Sequence, residues 1–130
     1  MLHAAGLLRD MMHTRMSASD LTSVFAPKAC GAAHLHAATQ HAPLGSMVYY
    51  SSAASAFGSA GQANYAAANA YLDSLGGCRN AVGTAAVCLQ VRLTPTPTPT
   101  PTPTLTLTLT LTRLSAVPAR ERRRHGCSDL

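Results

Sequence analysis

Ser46-Met47-Val48-Tyr49-Tyr50-Ser51-Ser52 is the stretch on which the fold turns. Its length and its β-branched and aromatic content are those of a buried strand, and the turn residues Pro43-Leu44-Gly45 open it. A loop bearing Gly58 and Gly61 follows. From Gln62 to about Leu75 the chain is dense in alanine, which predicts a strong helix, and Gly76-Gly77 is expected to close it. Beyond that helix, Ala85-Ala86-Val87-Cys88-Leu89-Gln90-Val91 reads as another buried strand.

Toward the amino end, Leu21, Val24, Phe25, Ala29, Ala32, Ala33, Leu35 and Ala37 recur at helical spacing. The preceding Ser17-Ala18-Ser19-Asp20 supplies a helix N-cap, so one helix is expected to run to about Thr39. Pro27 lies inside it. A proline lacks the backbone donor that an interior helix position needs, which predicts a break or kink near Ala26. Leu2-His3-Ala4-Ala5-Gly6 reads as the end of a short buried strand meeting a glycine turn. Strand, helix, strand, helix, strand implies crossover connections and a parallel sheet with helices packed on it. The expected fold class is therefore α/β: a partial Rossmann-like parallel sheet of about three strands with crossover helices. Three strands are fewer than a doubly wound domain has, so the amino-terminal dinucleotide-binding half is expected to be lacking.

After Leu93 the composition changes. Threonine alternates with proline from Thr94 to Thr104 and with leucine from Thr104 to Thr112. The expected organisation is a folded unit over 1–93, a low-complexity repeat over 94–112 and a basic disordered tail over 113–130. The Thr-Pro part lacks alternate backbone donors and favours an extended polyproline-like chain. The Thr-Leu part has the period of an amphipathic strand, with Leu105, Leu107, Leu109 and Leu111 on one face. Residues 94–130 as a whole are expected to add no stable part to the fold.

The net charge of +5 is weighted toward that end. Residues 1–93 hold five basic side chains (Arg9, Arg15, Lys28, Arg79, Arg92) against Asp10, Asp20 and Asp73. The cluster around Arg120–Arg124 has no interleaved aromatic residue, so nucleic-acid binding is not expected. His34 and His36, two residues apart, fall on different faces of a helix with no Cys or acidic partner nearby, and no metal site is expected. No stretch approaches the roughly 20 apolar residues of a membrane span, and no membrane role is expected. Cys30, Cys78, Cys88 and Cys127 are widely spaced without a paired motif, which fits a reduced, cytoplasmic setting.

The chemistry-bearing pattern is Ser52, Tyr65 thirteen residues on, and Asn69 four after that. Tyr65 and Asn69 are one helical turn apart and share a face. Ser52 ends a strand, where α/β sheets place their ligands. A hydroxyl at a strand end and a phenol on the next helix can converge on one substrate oxygen, as carbonyl reduction requires. Ser51 is the competing serine, but the thirteen-residue separation selects Ser52.

The run from Ser51 through Gly58-Ser59-Ala60-Gly61-Gln62-Ala63-Asn64-Tyr65-Ala66-Ala67-Ala68-Asn69 to Asp73 resembles the active-site segment of polyketide-synthase and fatty-acid-synthase ketoreductases, a branch of the short-chain dehydrogenase/reductase family. His3 to Asp10 resembles the segment after that family's fourth strand, and Phe25-Ala26-Pro27-Lys28 the helix bearing its catalytic lysine. The resemblance covers roughly residues 2–92. Ordinary short-chain reductases carry a lysine four residues after the tyrosine; here Asn69 stands there and Lys28 lies on the earlier helix, the arrangement of synthase ketoreductases.

That resemblance implies NADPH-dependent reduction of a β-ketoacyl thioester, held on an acyl carrier protein, to the β-hydroxyacyl thioester. Tyr65 would donate the proton, Lys28 would stabilise developing phenolate and contact the nicotinamide ribose, Ser52 would polarise the carbonyl and Asn69 would order the relay. Gly6, Lys28 and Tyr65 would contact the nicotinamide end of the cofactor. Asp10 lies where one stereochemical class carries a characteristic aspartate, which implies a D-configured hydroxyl. No Gly-x-Gly-x-x-Gly run is present to cradle a pyrophosphate. The isolated chain is accordingly expected to be inactive, needing the other domains of a synthase. The alternative is a catalytically inactive structural or docking remnant.

Overall fold

The computed structural model describes residues 1–96 and 104–112, of which 93–96 and 104–112 are described by backbone alone. Strand β1 (Leu2–His3) pairs in parallel with β2 (Met47–Ser52), and β2 in parallel with β3 (Ala86–Thr96). The expected parallel α/β sheet is present. A fourth strand, β4 (Thr104–Thr112), adds antiparallel to β3, giving the order β1-β2-β3-β4. The Thr-Leu half of the repeat therefore joins the sheet, although 94–130 was expected to contribute nothing stable. Alternation with period 2 suits an edge strand, and the ladder runs from Cys88↔Thr112 to Thr96↔Thr104. The polyproline-like chain expected over the Thr-Pro repeat at 97–103 and the basic disordered tail expected over 113–130 lie outside the described residues.

Helix α1 (Ala18–Phe25) starts at a capping box: Ser17 Oγ accepts from the Asp20 backbone N–H at 3.2 Å, and Asp20 Oδ2 accepts from the Ser17 N–H at 3.1 Å. At Pro27 the expected break takes the form of one π-helical turn, Ala26–Cys30, before α2 (Gly31–Thr39) resumes. Widening the turn there accommodates a residue with no N–H to give. The same turn brings Lys28 inward. Its carbonyl accepts a 3.0 Å hydrogen bond from His3 Nε2, which ties β1 to the kink.

The core forms where α2 and α4 (Ala63–Ala81) cover one face of the sheet. Met47 and Tyr49 from β2, Ala86 and Cys88 from β3, Ala32 from α2 and Leu72 and Leu75 from α4 are buried together. Along β2, burial alternates between buried and half-buried side chains, as a strand with one fully covered face requires.

Helix α4 does not stop at Gly76-Gly77 as expected but runs on to Ala81, and the chain turns at Gly83 with φ +85°. Gly76 serves packing instead. A Cβ built on it would stand 2.6 Å from Cys88 Sγ, so only glycine lets the helix lie this close to β3. The extra turns carry Arg79 into the interior, where Nη1 meets His36 Nδ1 at 2.9 Å. Helix α3 (Ala54–Phe57) is a single turn after β2. It ends at Gly58, φ +72°, a conformation that side chains rarely adopt.

Candidate active site

The carboxyl end of β2, the start of α4, the π turn and the loop after β1 meet around Tyr65. Two adjoining clefts share Tyr65, Leu8 and Val91. The larger, about 440 Å³, is walled by Ser52, Gln62 and Phe57 as well. The smaller, about 290 Å³, is walled by Gly6, Lys28 and Ser51. Tyr65 is thus the partition between a space bordered by the Ser52 hydroxyl and a space bordered by the lysine.

Lys28 is 4 % exposed, and its ammonium donates to the Tyr50 carbonyl at 2.9 Å. Nζ lies 5.3 Å from the centre of the Tyr65 ring, a cation–π distance. Burial lowers its pKa from 10.5 to about 8, against the pull of the Asp73 charge, which raises it. Gly6 makes the room: a Cβ there would come within 3.1 Å of Lys28 Cε and 3.7 Å of Nζ.

Ser52 Oγ accepts from the Ala54 N–H at 3.2 Å and lies 3.4 Å from the Val91 carbonyl, so the hydroxyl is oriented from both sides at the rim of the larger cleft. Ser51, the other candidate, is 2 % exposed and donates to the Asn69 carbonyl at 3.4 Å. Asn69 itself is fully buried; its Nδ2 donates to the Tyr65 carbonyl at 2.8 Å, and Oδ1 has no hydrogen-bond donor among the described residues. The structure therefore gathers Gly6, Lys28, Ser52 and Tyr65 on the cleft walls. Asn69 stands one turn behind Tyr65, in contact with its backbone.

Three features went unread in the sequence. Asn64, 1 % exposed, donates from Nδ2 to the carbonyls of Arg9 (3.1 Å) and Asp20 (3.4 Å) and accepts from the Tyr65 N–H at 2.8 Å. It ties the loop after β1 and α1 to the first turn of α4. A polar residue in the opening turn of an alanine-rich helix was the available signal. Gln62 Nε2 donates to Asp10 Oδ2 at 2.9 Å across the same junction. Asp73, on the Tyr65–Asn69 face one turn further, accepts from Ser55 and Gln90.

The KR domain family matches residues 1–95, which is most of the chain. The chain belongs to the KR domain family. Among curated relatives, polyketide synthase GfsA of Streptomyces halstedii is 50 % identical over 88 residues, 68 % of this chain and 1 % of the relative. The spectinabilin polyketide synthase system protein NorB of Streptomyces orinoci is 48 % identical over 88 residues, 68 % of this chain and 4 % of that protein. Two solved structures superpose on 67 % of this chain: the first ketoreductase of the tylosin polyketide synthase (TM-score 0.66, 40 % identity, 19 % of that chain) and an A1-type ketoreductase (TM-score 0.65, 36 % identity, 18 % of that chain). The KR segment thus spans a small part of the proteins it matches. Over the part compared, its partial Rossmann-like α/β fold is similar to that of these polyketide-synthase ketoreductases. Among the described residues, no helix is long and apolar enough to cross a membrane, and no cluster of three potential metal ligands occurs.

Proposed function

We propose that residues 2–92 carry the proton-donating half of a centre that reduces a β-ketoacyl thioester, presented by an acyl carrier protein, to the β-hydroxyacyl thioester with NADPH. The observation that carries this reading is Tyr65 standing between two clefts with a buried lysine 5.3 Å from its ring. Bound NADPH would supply the hydride. The nicotinamide ribose suits the smaller cleft, because Gly6 keeps Lys28 Nζ uncrowded there and Lys28 and Tyr65 offer hydrogen bonds to its hydroxyls. The sequence has no glycine-rich run to receive the pyrophosphate, so the fit extends to the nicotinamide end alone.

In this reading the ketone lies in the larger cleft with its oxygen between Ser52 Oγ and the Tyr65 hydroxyl. Ser52 polarises the carbonyl by donating a hydrogen bond, and Tyr65 gives its proton as negative charge builds on the oxygen. The Lys28 ammonium stabilises the phenolate left behind. Asn69 acts from behind, holding the turn of α4 that presents Tyr65. The setting is cytoplasmic, among the other domains of a synthase, and the isolated chain is inactive because the cofactor's charged part finds no amide nest.

The test places residues 2–92 in a complete ketoreductase and changes Tyr65→Phe. Turnover of a ketoacyl thioester is expected to fall by about a hundredfold or more, while the Kd for NADPH stays within about twofold. A variant that keeps half the parental rate removes Tyr65 as the acid. The docking-remnant reading draws on the exposed Leu2, Leu8 and Met12 beside β1; it prevails if the parental assembly itself shows no turnover.

A further inference from the structure

Asp73 lies eight residues after Tyr65 and four after Asn69, on one face of α4, and it reaches across to α3 and β3. Its Oδ2 accepts from Ser55 Oγ at 2.6 Å and from Gln90 Nε2 at 3.3 Å. Gln90 Nε2 is also 3.4 Å from Ser55 Oγ. Ser55, in the single turn of α3, stands 2.8 Å from the carbonyl oxygen of Ser52. Its one hydroxyl proton can go to the carboxylate or to that carbonyl. A carboxylate on α4, an amide on β3 and a hydroxyl on α3 therefore close a triangle directly beneath the turn that follows β2. This is the turn whose Ala54 N–H donates to Ser52 Oγ.

We propose that Asp73 is a positioning residue of the reductase site, acting through Ser55 to fix the Ser52–Ser55 turn and so the direction of the Ser52 hydroxyl. The proposal rests on the reductase reading above. Several observations bear on it. A partly buried acid with no salt-bridge partner among the described residues is costly unless its hydrogen bonds do something for the fold. Here they tie together the strand end, the short helix and the long helix, beside the 3.2 Å hydrogen bond from the Ala53 N–H to the Val91 carbonyl. Both contacts that orient the Ser52 hydroxyl, 3.2 Å from the Ala54 N–H and 3.4 Å to Val91 O, depend on where this turn sits. The Asp73 charge is also felt on both sides of α4: it partly restores the Lys28 ammonium that burial disfavours, and it adds to the burial that pushes the Cys88 thiol up to about 12. Short charge-assisted hydrogen bonds such as the 2.6 Å contact are the stronger kind.

The test is a double-variant cycle in the complete ketoreductase carrying residues 2–92, with Asp73→Asn, Ser52→Ala and the pair. Asp73→Asn is expected to lower kcat by about tenfold while leaving the KM for NADPH within twofold. In the Ser52→Ala background the same change should cost less than about twofold, because the group it aims is gone. An equal factor in both backgrounds would show that Asp73 acts on stability or elsewhere in the site, and overturns the proposal. Ser55→Ala, which breaks the same link without disturbing the long helix, should reproduce the kcat loss and the non-additivity; it decides the matter if Asp73→Asn does not fold. The Tyr65→Phe control separates the two readings. If it stays active, the reductase assignment falls; if it is inactive while Asp73→Asn and Ser55→Ala behave as the parent, only the positioning role falls.

Discussion

Replacing Lys28 with methionine should stabilise the fold while removing the cation that the proposed chemistry sets beside Tyr65. Lys28 as a residue is 4 % exposed, and burial takes its pKa from 10.5 to about 8. At about 1.4 kcal/mol for each tenfold change, holding the charged lysine inside the fold at pH 7 costs at most about 3 kcal/mol relative to the unfolded chain. Methionine matches the lysine stem and carries no charge, but it leaves the Tyr50 carbonyl without the 2.9 Å donor, a loss of about 1 kcal/mol. A net gain of about 2 kcal/mol at pH 7 follows. The sign with pH is fixed. Between pH 8 and 10.5 the unfolded lysine holds a proton that the folded one has released, so the parent gains stability as pH rises through that window, and the advantage of Lys28→Met vanishes within it and becomes a deficit of about 1 kcal/mol above it. Cys88 and Tyr49, both pushed up to about 12 by burial, act in the opposite direction above about pH 9, but they are common to both proteins and cancel in the difference. Urea unfolding of the full chain and of Lys28→Met at pH 7, 8.5 and 10 measures it. A variant no more stable than the parent at pH 7, or an advantage that does not shrink with pH, refutes the reasoning.

Two further outcomes can be read by the same unfolding measurement. Asn64→Ala strips donors from the Arg9 and Asp20 carbonyls and the acceptor from the Tyr65 N–H, and should cost about 1–3 kcal/mol; an unchanged midpoint would mean that water replaces all three. Gly76→Ala gains intrinsic helix propensity but drives a methyl to 2.6 Å from Cys88 Sγ, and the net effect should be a loss of about 1–2 kcal/mol. Adding Cys88→Ala should recover most of that loss, whereas simple additivity of the two changes would remove the close contact as its cause.

How far the sequence could be read depended on whether each residue's role was local. The strand ending at Ser52, the helical spacing of Tyr65 and Asn69 and the break at Pro27 are properties of neighbouring residues, and each appears in the structure where the pattern places it. Gly76 was misread because glycine has two uses. It ends helices through its backbone freedom and permits close packing through its missing side chain, and only the position of Cys88 tells which applies. Asp73 and Asn64 escaped notice for a related reason. Their partners lie 17 to 55 residues away, and no local periodicity records a hydrogen bond of that span. The repeat was the reverse case: its alternation was visible, but alternation alone does not name a partner, which turned out to be the free side of β3.

That pairing has an unusual property. The side-chain period of a strand is two residues, and the Thr-Leu repeat has the same period. In the observed ladder Leu89 faces Leu111 and Val91 faces Leu109. Sliding β4 by one dipeptide would pair Leu89 with Leu109 and Val91 with Leu107, so that each again meets a leucine in the register. Most edge strands are locked because a slip turns their apolar face outward; this one works like a rack whose teeth are all alike. Steps of two residues cost only the rungs lost at the ends, and steps of one are forbidden. Gain or loss of a Thr-Leu unit would likewise change how much of the β3 edge is covered without changing which residue type each β3 position meets.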